Sequence, residues 1–188
     1  MKARALVTGA GTRLGRAMAL DLGRRGFDVI VHYNTSHGPA EEVVAEIRAM
    51  GREAHALGAD LLDEAAVQGL IPRAVEALGG PITCLVNSAS IFEYASIESG
   101  TRESWDRAME SNLRAPVVLT QKVAEGITAP AHDARGEPVA QGLVVNIIDQ
   151  RVRKLTPDFM SYTIANMGLW AITRTAAQAL ALQSSYPR

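Results

Sequence analysis

The sequence is short of the residues that staple, span or track. It holds one cysteine, Cys84, in 188 residues, so no intrachain disulfide can form. No apolar run approaches the ~20 residues that a bilayer-spanning helix needs, which argues against a membrane protein. Lys and Arg number 19 against 20 Asp and Glu, for a net charge of -1, and the arginines are dispersed. Without a basic tract there is nothing to follow a phosphate backbone, so nucleic acid is not an expected partner. Met1-Lys2-Ala3 runs directly into an apolar segment, without the charged-then-apolar order of a secretion leader. The expected location is the cytoplasm. Internal repeats, low-complexity tracts and metal-ligand clusters are also missing.

What is present alternates. Short runs rich in Val, Ile and Leu at 3–8, 29–33, 54–57, 82–86 and 143–148 read as strands covered on both faces. Amphipathic stretches at 14–25, 39–50, 64–78, 105–127 and about 160–183 read as helices, with Pro39 at a first turn and Gly51 past an end. Residues 128–141 read as an exposed loop. Strict strand–helix alternation predicts one α/β domain over residues 1–188, a doubly wound parallel sheet of the Rossmann type. No strand follows the last helix, and the chain is expected to be a shortened form of a longer domain.

The first strand–helix junction reads Thr8-Gly-Ala-Gly-Thr-Arg-Leu-Gly15. Glycines allow tight backbone geometry there, and a helix N-terminus offers free N–H groups to a pyrophosphate. The second strand ends in His32-Tyr-Asn-Thr-Ser36, without the carboxylate that would hold the ribose 2′-hydroxyl of NAD. Asn34, Thr35 and Ser36 can donate to a 2′-phosphate and Arg13 can supply a cation, so NADP(H) is expected over NAD(H). Asp60-Leu61 and Asn87-Ser-Ala-Ser90 fall at the ends of the third and fourth strands, the side on which ligands bind in this architecture. Each feature also has an ordinary reading: a glycine-rich connection, a solvated arginine, a turn.

Near the start of the last helix stands Tyr162, followed at i+4 by Asn166. A phenol with a pKa near ~10 is a poor acid–base group at neutral pH unless a cation on the same helix face stabilises its anion. Asn166 occupies the position for that cation and carries no charge.

The Thr8–Gly15 turn, Asp60, the Asn87–Ser90 loop, Asn112 and Tyr162 together resemble the short-chain dehydrogenase/reductase family over essentially the whole chain. The details look most like pteridine reductases: Arg13 replaces the middle glycine of the turn, Ser90 and Phe92 follow the fourth strand, and Asp149 precedes Tyr162 by thirteen residues where most relatives have serine. The resemblance implies an NADPH-dependent reductase of a pterin- or dihydrofolate-like substrate. It places Gly9, Thr12, Arg13, Leu14 and Gly15 of the turn on the cofactor. Tyr33, Asn34, Ser36, Asp60, Leu61, Asn87 and Ala89 join them further along the chain. It assigns Ser90, Phe92, Asp149 and Tyr162 to substrate, with Phe92 stacked on the pterin and Asp149 hydrogen-bonded to Tyr162. Asn112 would hold a water linking the site to solvent. The family lysine that matches position 166 binds the nicotinamide ribose and lowers the tyrosine pKa; Asn166 can still reach the ribose but leaves the tyrosine without its cation. Relatives continue into two more strands and assemble as dimers or tetramers through the last helix, whose apolar positions here are Ile164, Leu169, Ile172, Ala176 and Leu180. Two other functions fit the same residues: a catalytically impaired dinucleotide-binding protein with a regulatory role, and a ketone or acyl-chain reductase.

Overall fold

The computed structural model describes residues 2–127 and 131–182. Five parallel strands form one sheet: β1 (Arg4–Val7), β2 (Asp28–Tyr33), β3 (Ala54–Gly58), β4 (Cys84–Asn87) and, after an intervening hairpin, β7 (Leu143–Asn146). Their order is β3-β2-β1-β4-β7. β1 pairs with β2 and with β4, with Leu6 opposite Ile30 and Leu85. Alternate side chains of a strand point to opposite faces, and the core divides accordingly. Leu6, Ile30 and Leu85 pack under α3 (Glu64–Leu78) and α5 (Ala115–Gly126). Ala5, Val7, Val29, Val31, Cys84 and Val86 pack under α1 (Arg13–Arg24) and α2 (His37–Ala49). With both faces covered, the strands have no need of polar alternation, which is why they read as continuous apolar runs. Chain order reverses between β1 and β4, and in such sheets this switch point opens a crevice at the strand C-termini.

Three local expectations need correction. α2 starts at His37, two residues before Pro39, because a proline in a first turn lacks only an N–H that the helix leaves unpaired anyway. The helix expected over 105–127 is two α-segments, α4 (Arg102–Met109) and α5, joined by a π-helical turn at Glu110–Arg114. Pro116 has no N–H to offer the Asn112 carbonyl, so regular i→i+4 bonding cannot run through this point. Thr101 and Ser104 start α4 with a reciprocal capping box, three residues earlier than expected. Part of the loop expected at 128–141 is a two-stranded hairpin, β5 (Ala131–His132) with β6 (Pro138–Val139). Its turn is held by the Asp133 carboxylate, which accepts from the Arg135 and Glu137 N–H groups at 2.8 and 3.0 Å. Residues 128–130 of that loop lie outside the described residues, as does Gln183 at the expected end of the last helix.

The last helix, α6 (Met160–Leu182), packs against α4 and β7. Its apolar positions differ in burial: Leu169 is buried, whereas Ile164 and Leu180 are exposed together with Met167 and Trp170. Among the described residues no helix is long and apolar enough to cross a membrane, and no group of His, Cys, Asp and Glu could hold a metal ion.

Candidate active site

The crevice at the end of β1 is built by close backbone approach. Gly9 has φ +64°, and a Cβ there would lie 3.0 Å from the Ala89 Cα. A Cβ at Gly15 would collide with the Gly9 carbonyl, and one at Gly11 would meet the Ser36 hydroxyl at 2.9 Å. The turn therefore folds flat against both the β2–α2 corner and the loop after β4. The Thr8 hydroxyl ties it to that loop, accepting from the Ser88 and Ala89 N–H groups at 2.9 and 3.0 Å. Thr12 caps α1 through its position alone, without a side-chain hydrogen bond.

Arg13 has φ +49°, the left-handed region that favours glycine. A side chain is kept where a glycine would be unstrained, at a cost of about 1 kcal/mol. Its guanidinium is exposed and makes no ion pair or hydrogen bond to the described residues, and Leu14 beside it is 66% exposed. Asn34 is also exposed, and Ser36 is the N-cap of α2 without a side-chain hydrogen bond to it. The Tyr33 ring packs over Gly58, while Asp60 binds its own turn through the Leu62 N–H and Leu61 is buried.

Sequence reasoning missed the residue that ties these segments together. His32, 1% exposed, accepts from the Gly9 N–H at Nδ1 (3.1 Å) and lies 3.1 Å from the Ala59 carbonyl at Nε2. One nitrogen must accept and the other donate, which fixes the neutral tautomer with the proton on Nε2. Burial drives its pKa down to about 4. A buried apolar-strand histidine beside a glycine turn is the only sequence signal of this clamp.

Asn87 donates to the Asn146 side chain at 2.7 Å, joining β4 to β7 at their C-terminal ends, and Asn146 donates on to Thr173 of α6. Asn112 is buried, and its amide pairs with both backbone groups of one residue: it donates to the Ile91 carbonyl and accepts from the Ile91 N–H, both at 2.8 Å. Asn112 clamps the loop that carries Ser90 and Phe92.

The loop between β7 and α6 brings the chemistry together. The Tyr162 hydroxyl, on the first turn of α6, donates to Asp149 Oδ2 at 3.3 Å. Asp149 Oδ1 accepts from the Arg151 N–H at 2.8 Å, capping a 3-10 turn over Gln150–Val152. Asn166 accepts from the Asp149 N–H at 3.1 Å and donates to the Tyr162 carbonyl at 3.0 Å. Being 3% exposed and engaged at both its oxygen and its nitrogen, Asn166 braces the Asp149 loop against α6. Burial raises the Tyr162 pKa above its ordinary value, and the Asp149 charge raises it further; hydrogen bonding from Ser90 and Asn166 opposes this in part.

Phe92, 52% exposed, meets Tyr162 edge-to-face with ring centroids 4.8 Å apart. Two further residues here were not anticipated. Phe159 stacks on Phe92 at 4.2 Å and 10°, from a left-handed backbone (φ +58°). Arg151 pairs with Asp149, its Nη1 lying 3.3 and 3.4 Å from the two carboxylate oxygens, and its guanidinium carbon lies 5.3 and 4.8 Å from the two ring centroids. No pattern in the sequence marks either one; they lie two residues after the aspartate and three before the tyrosine.

Residues 3–184 match the family model for short chain dehydrogenases. The 3-oxoacyl-[acyl-carrier-protein] reductase FabG of Staphylococcus epidermidis is 30% identical over 181 residues, covering 96% of this chain and 70% of that protein. The short-chain dehydrogenase/reductase FrzI of Cladobotryum sp is 37% identical over 62% of this chain, and the match spans 45% of that protein's length. The structure of FolM alternative dihydrofolate reductase 1 from Brucella canis, complexed with NADP, superposes with a TM-score of 0.86 at 39% identity, covering 95% of this chain and 68% of that one. The sheet order, the glycine turn and these matches lead to one conclusion: the chain belongs to the short-chain dehydrogenase/reductase family.

Proposed function

We propose that this protein is an NADPH-dependent reductase of a planar, pterin- or dihydrofolate-like heterocycle. The observation that carries the reading is the joining of Asp149, Tyr162 and Phe92 in one cluster: an acid 3.3 Å from a buried phenol, with an exposed aromatic ring against that phenol. An aromatic face suits a flat ring, and a carboxylate that orients a phenol suits delivery of a proton alongside hydride transfer. The likeness to FolM favours the same substrate class.

The turn at Gly9, Gly11 and Gly15 fits a dinucleotide, because the close packing that its glycines allow holds it flat at the N-terminus of α1, whose free N–H groups suit a pyrophosphate. Arg13, Asn34 and Ser36 would hold the 2′-phosphate, with Asp60 on the adenine side and Asn87 and Ala89 beside the nicotinamide. When bound, the dinucleotide supplies the hydride. The chain's own part is to orient the heterocycle on Phe92, to hold a proton on the Tyr162 hydroxyl, and to keep that hydroxyl in register through Asp149.

Two observations favour a second reading, a dinucleotide-binding protein of impaired turnover. Asn166 provides no cation, and Phe159 already stacks on the ring that would receive the substrate. NADPH consumption with dihydrobiopterin, dihydrofolate, a simple ketone and a 3-oxoacyl thioester separates the readings. Turnover of either heterocycle above the ketone and thioester is expected. Turnover of ketone or thioester alone would overturn the substrate class, and NADPH binding without turnover of any of the four would favour the second reading.

A further inference from the structure

We propose that Arg151 is the working cation of this site, a positioning residue that acts on Tyr162 through Asp149. The geometry forms a chain: the Arg151 guanidinium reaches both oxygens of Asp149, and Asp149 Oδ2 accepts from the Tyr162 hydroxyl. Among the described residues no other cation pairs with Asp149. Arg151 is also held firmly. Its backbone N–H binds the same carboxylate, and its guanidinium lies against the Phe92–Phe159 stack. Its Nε is buried without a hydrogen-bond partner, so charge and ring contact, rather than a saturated hydrogen-bond set, hold the group in place.

The charges around the phenol give this contact its consequence. The charged group that meets Tyr162 is Asp149, and its partner is Arg151, both from the loop between β7 and α6. Asp158 in that loop accepts from the Tyr94 hydroxyl, Glu93 in the loop after β4 is paired with Arg107, and Ser90 and Asn166 are neutral. An unopposed carboxylate beside a buried phenol makes the loss of its proton harder. Arg151 offsets that carboxylate at contact distance and fixes the oxygen to which the phenol points. The site therefore carries its positive charge on the substrate side of Tyr162, on the loop, and not one turn down the helix at position 166. Arg151 also borders the ring face on which a planar ligand would lie, so the same cation flanks the platform and the acid.

The effect on turnover rests on the proposed reductase reading, but the test does not. The four tyrosines can be replaced by 3-fluorotyrosine, whose phenol is more acidic and titrates well below alkaline unfolding. Fluorine NMR then follows each phenol, with the Tyr162 signal assigned by its loss in Tyr162→Phe. In Arg151→Gln and Arg151→Met the Tyr162 midpoint is expected to rise by about one pH unit or more, and in Arg151→Lys to stay close to the parent. Where heterocycle turnover is measurable, kcat should fall about tenfold or more in the Gln and Met variants, with KM for NADPH unchanged. In an Asp149→Asn background the further loss of Arg151 should cost little, because its route to the phenol is gone. A Tyr162 midpoint that is unmoved in both neutral variants overturns the proposal. So does an Arg151→Lys variant that behaves like Arg151→Met, or an Arg151 effect of equal size with and without Asp149. A protein whose midpoint shifts as expected but which turns over none of the substrates keeps the Arg151 assignment and loses the reductase reading.

Discussion

Asn166→Lys would place an ammonium one helical turn beyond Tyr162, at a position that is 3% exposed. Two opposing effects follow. A unit charge about 5 Å from the phenol contributes about 3 kcal/mol at an effective dielectric of ~20, equivalent to about two pKa units before offsets. Against it stand the desolvation of the ammonium and the loss of two hydrogen bonds, to the Asp149 N–H at 3.1 Å and the Tyr162 carbonyl at 3.0 Å, worth about 1 kcal/mol each. Arg151 already offsets part of the Asp149 charge, which reduces the gain again. The expected net outcome is a Tyr162 midpoint about one unit lower and a heterocycle-dependent NADPH turnover about 10- to 10²-fold higher. Urea denaturation should show stability reduced by about 1–3 kcal/mol. Asn166→Met is the control, since it removes the same hydrogen bonds without adding charge; it should lose stability and gain no turnover. Equal turnover in the Lys and Met variants, or a Tyr162 midpoint that does not fall in the Lys variant, would refute the charge argument.

Three further outcomes are expected. Arg13→Gly should relieve the left-handed strain and stabilise the apoprotein by about 1 kcal/mol in urea, while weakening NADPH binding relative to NADH by about tenfold or more in a calorimetric comparison. Asn112→Leu leaves both polar groups of Ile91 without their partner, and should cost about 2–4 kcal/mol in thermal or urea unfolding. The third concerns His32, whose folded pKa of about 4 lies below its ordinary 6.5. The unfolded chain then binds the extra proton first, so this contribution to stability is complete above about pH 6.5 and is lost as pH falls toward 4, by about 3 kcal/mol. Urea midpoints for wild type and His32→Asn between pH 7 and 4 should converge with acid; parallel curves would show that His32 is not buried neutral.

Much of the architecture was legible because burial on both sheet faces leaves a plain signature, apolar runs alternating with amphipathic stretches. The misreadings occurred where one residue overrides a pattern. Pro116 keeps the helical periodicity around it while removing the N–H that would continue regular bonding, so apolar spacing could not reveal the π-turn. The residues after Thr128 have a turn-like composition that does not separate a loop from a short hairpin. In the site, Tyr162 could be picked out because a phenol at the start of a helix carries chemistry, and Asp149 because the family resemblance marks its position thirteen residues earlier. Arg151 and Phe159 could not, because an arginine and a phenylalanine in a mixed loop signify nothing until the chain folds them onto Phe92. The partners of Asn112 and Asn166 were not legible for the same reason. An amide offers a donor and an acceptor to any partner, and the sequence does not say that Ile91 and Asp149 claim them.

The two halves of the site are made of different material, and this separates what mutation can do to each. The dinucleotide cradle is mainly backbone: Gly9, Gly11 and Gly15 allow close packing of the turn, and Thr8 and His32 bind main-chain groups. Such a cradle is lost by adding atoms or by protonating its clamp, and it is indifferent to charge elsewhere. The proposed proton path is the reverse. It consists of a few side-chain charges on the loop between β7 and α6 around one buried phenol, so exchanging a single cation changes its chemistry while leaving the fold in place. A neutral residue at 166 is therefore compatible with an intact cofactor site. Cofactor affinity and turnover should vary independently across substitutions in this chain, with changes at 13 and 32 read out in binding and changes at 149, 151 and 166 in kcat.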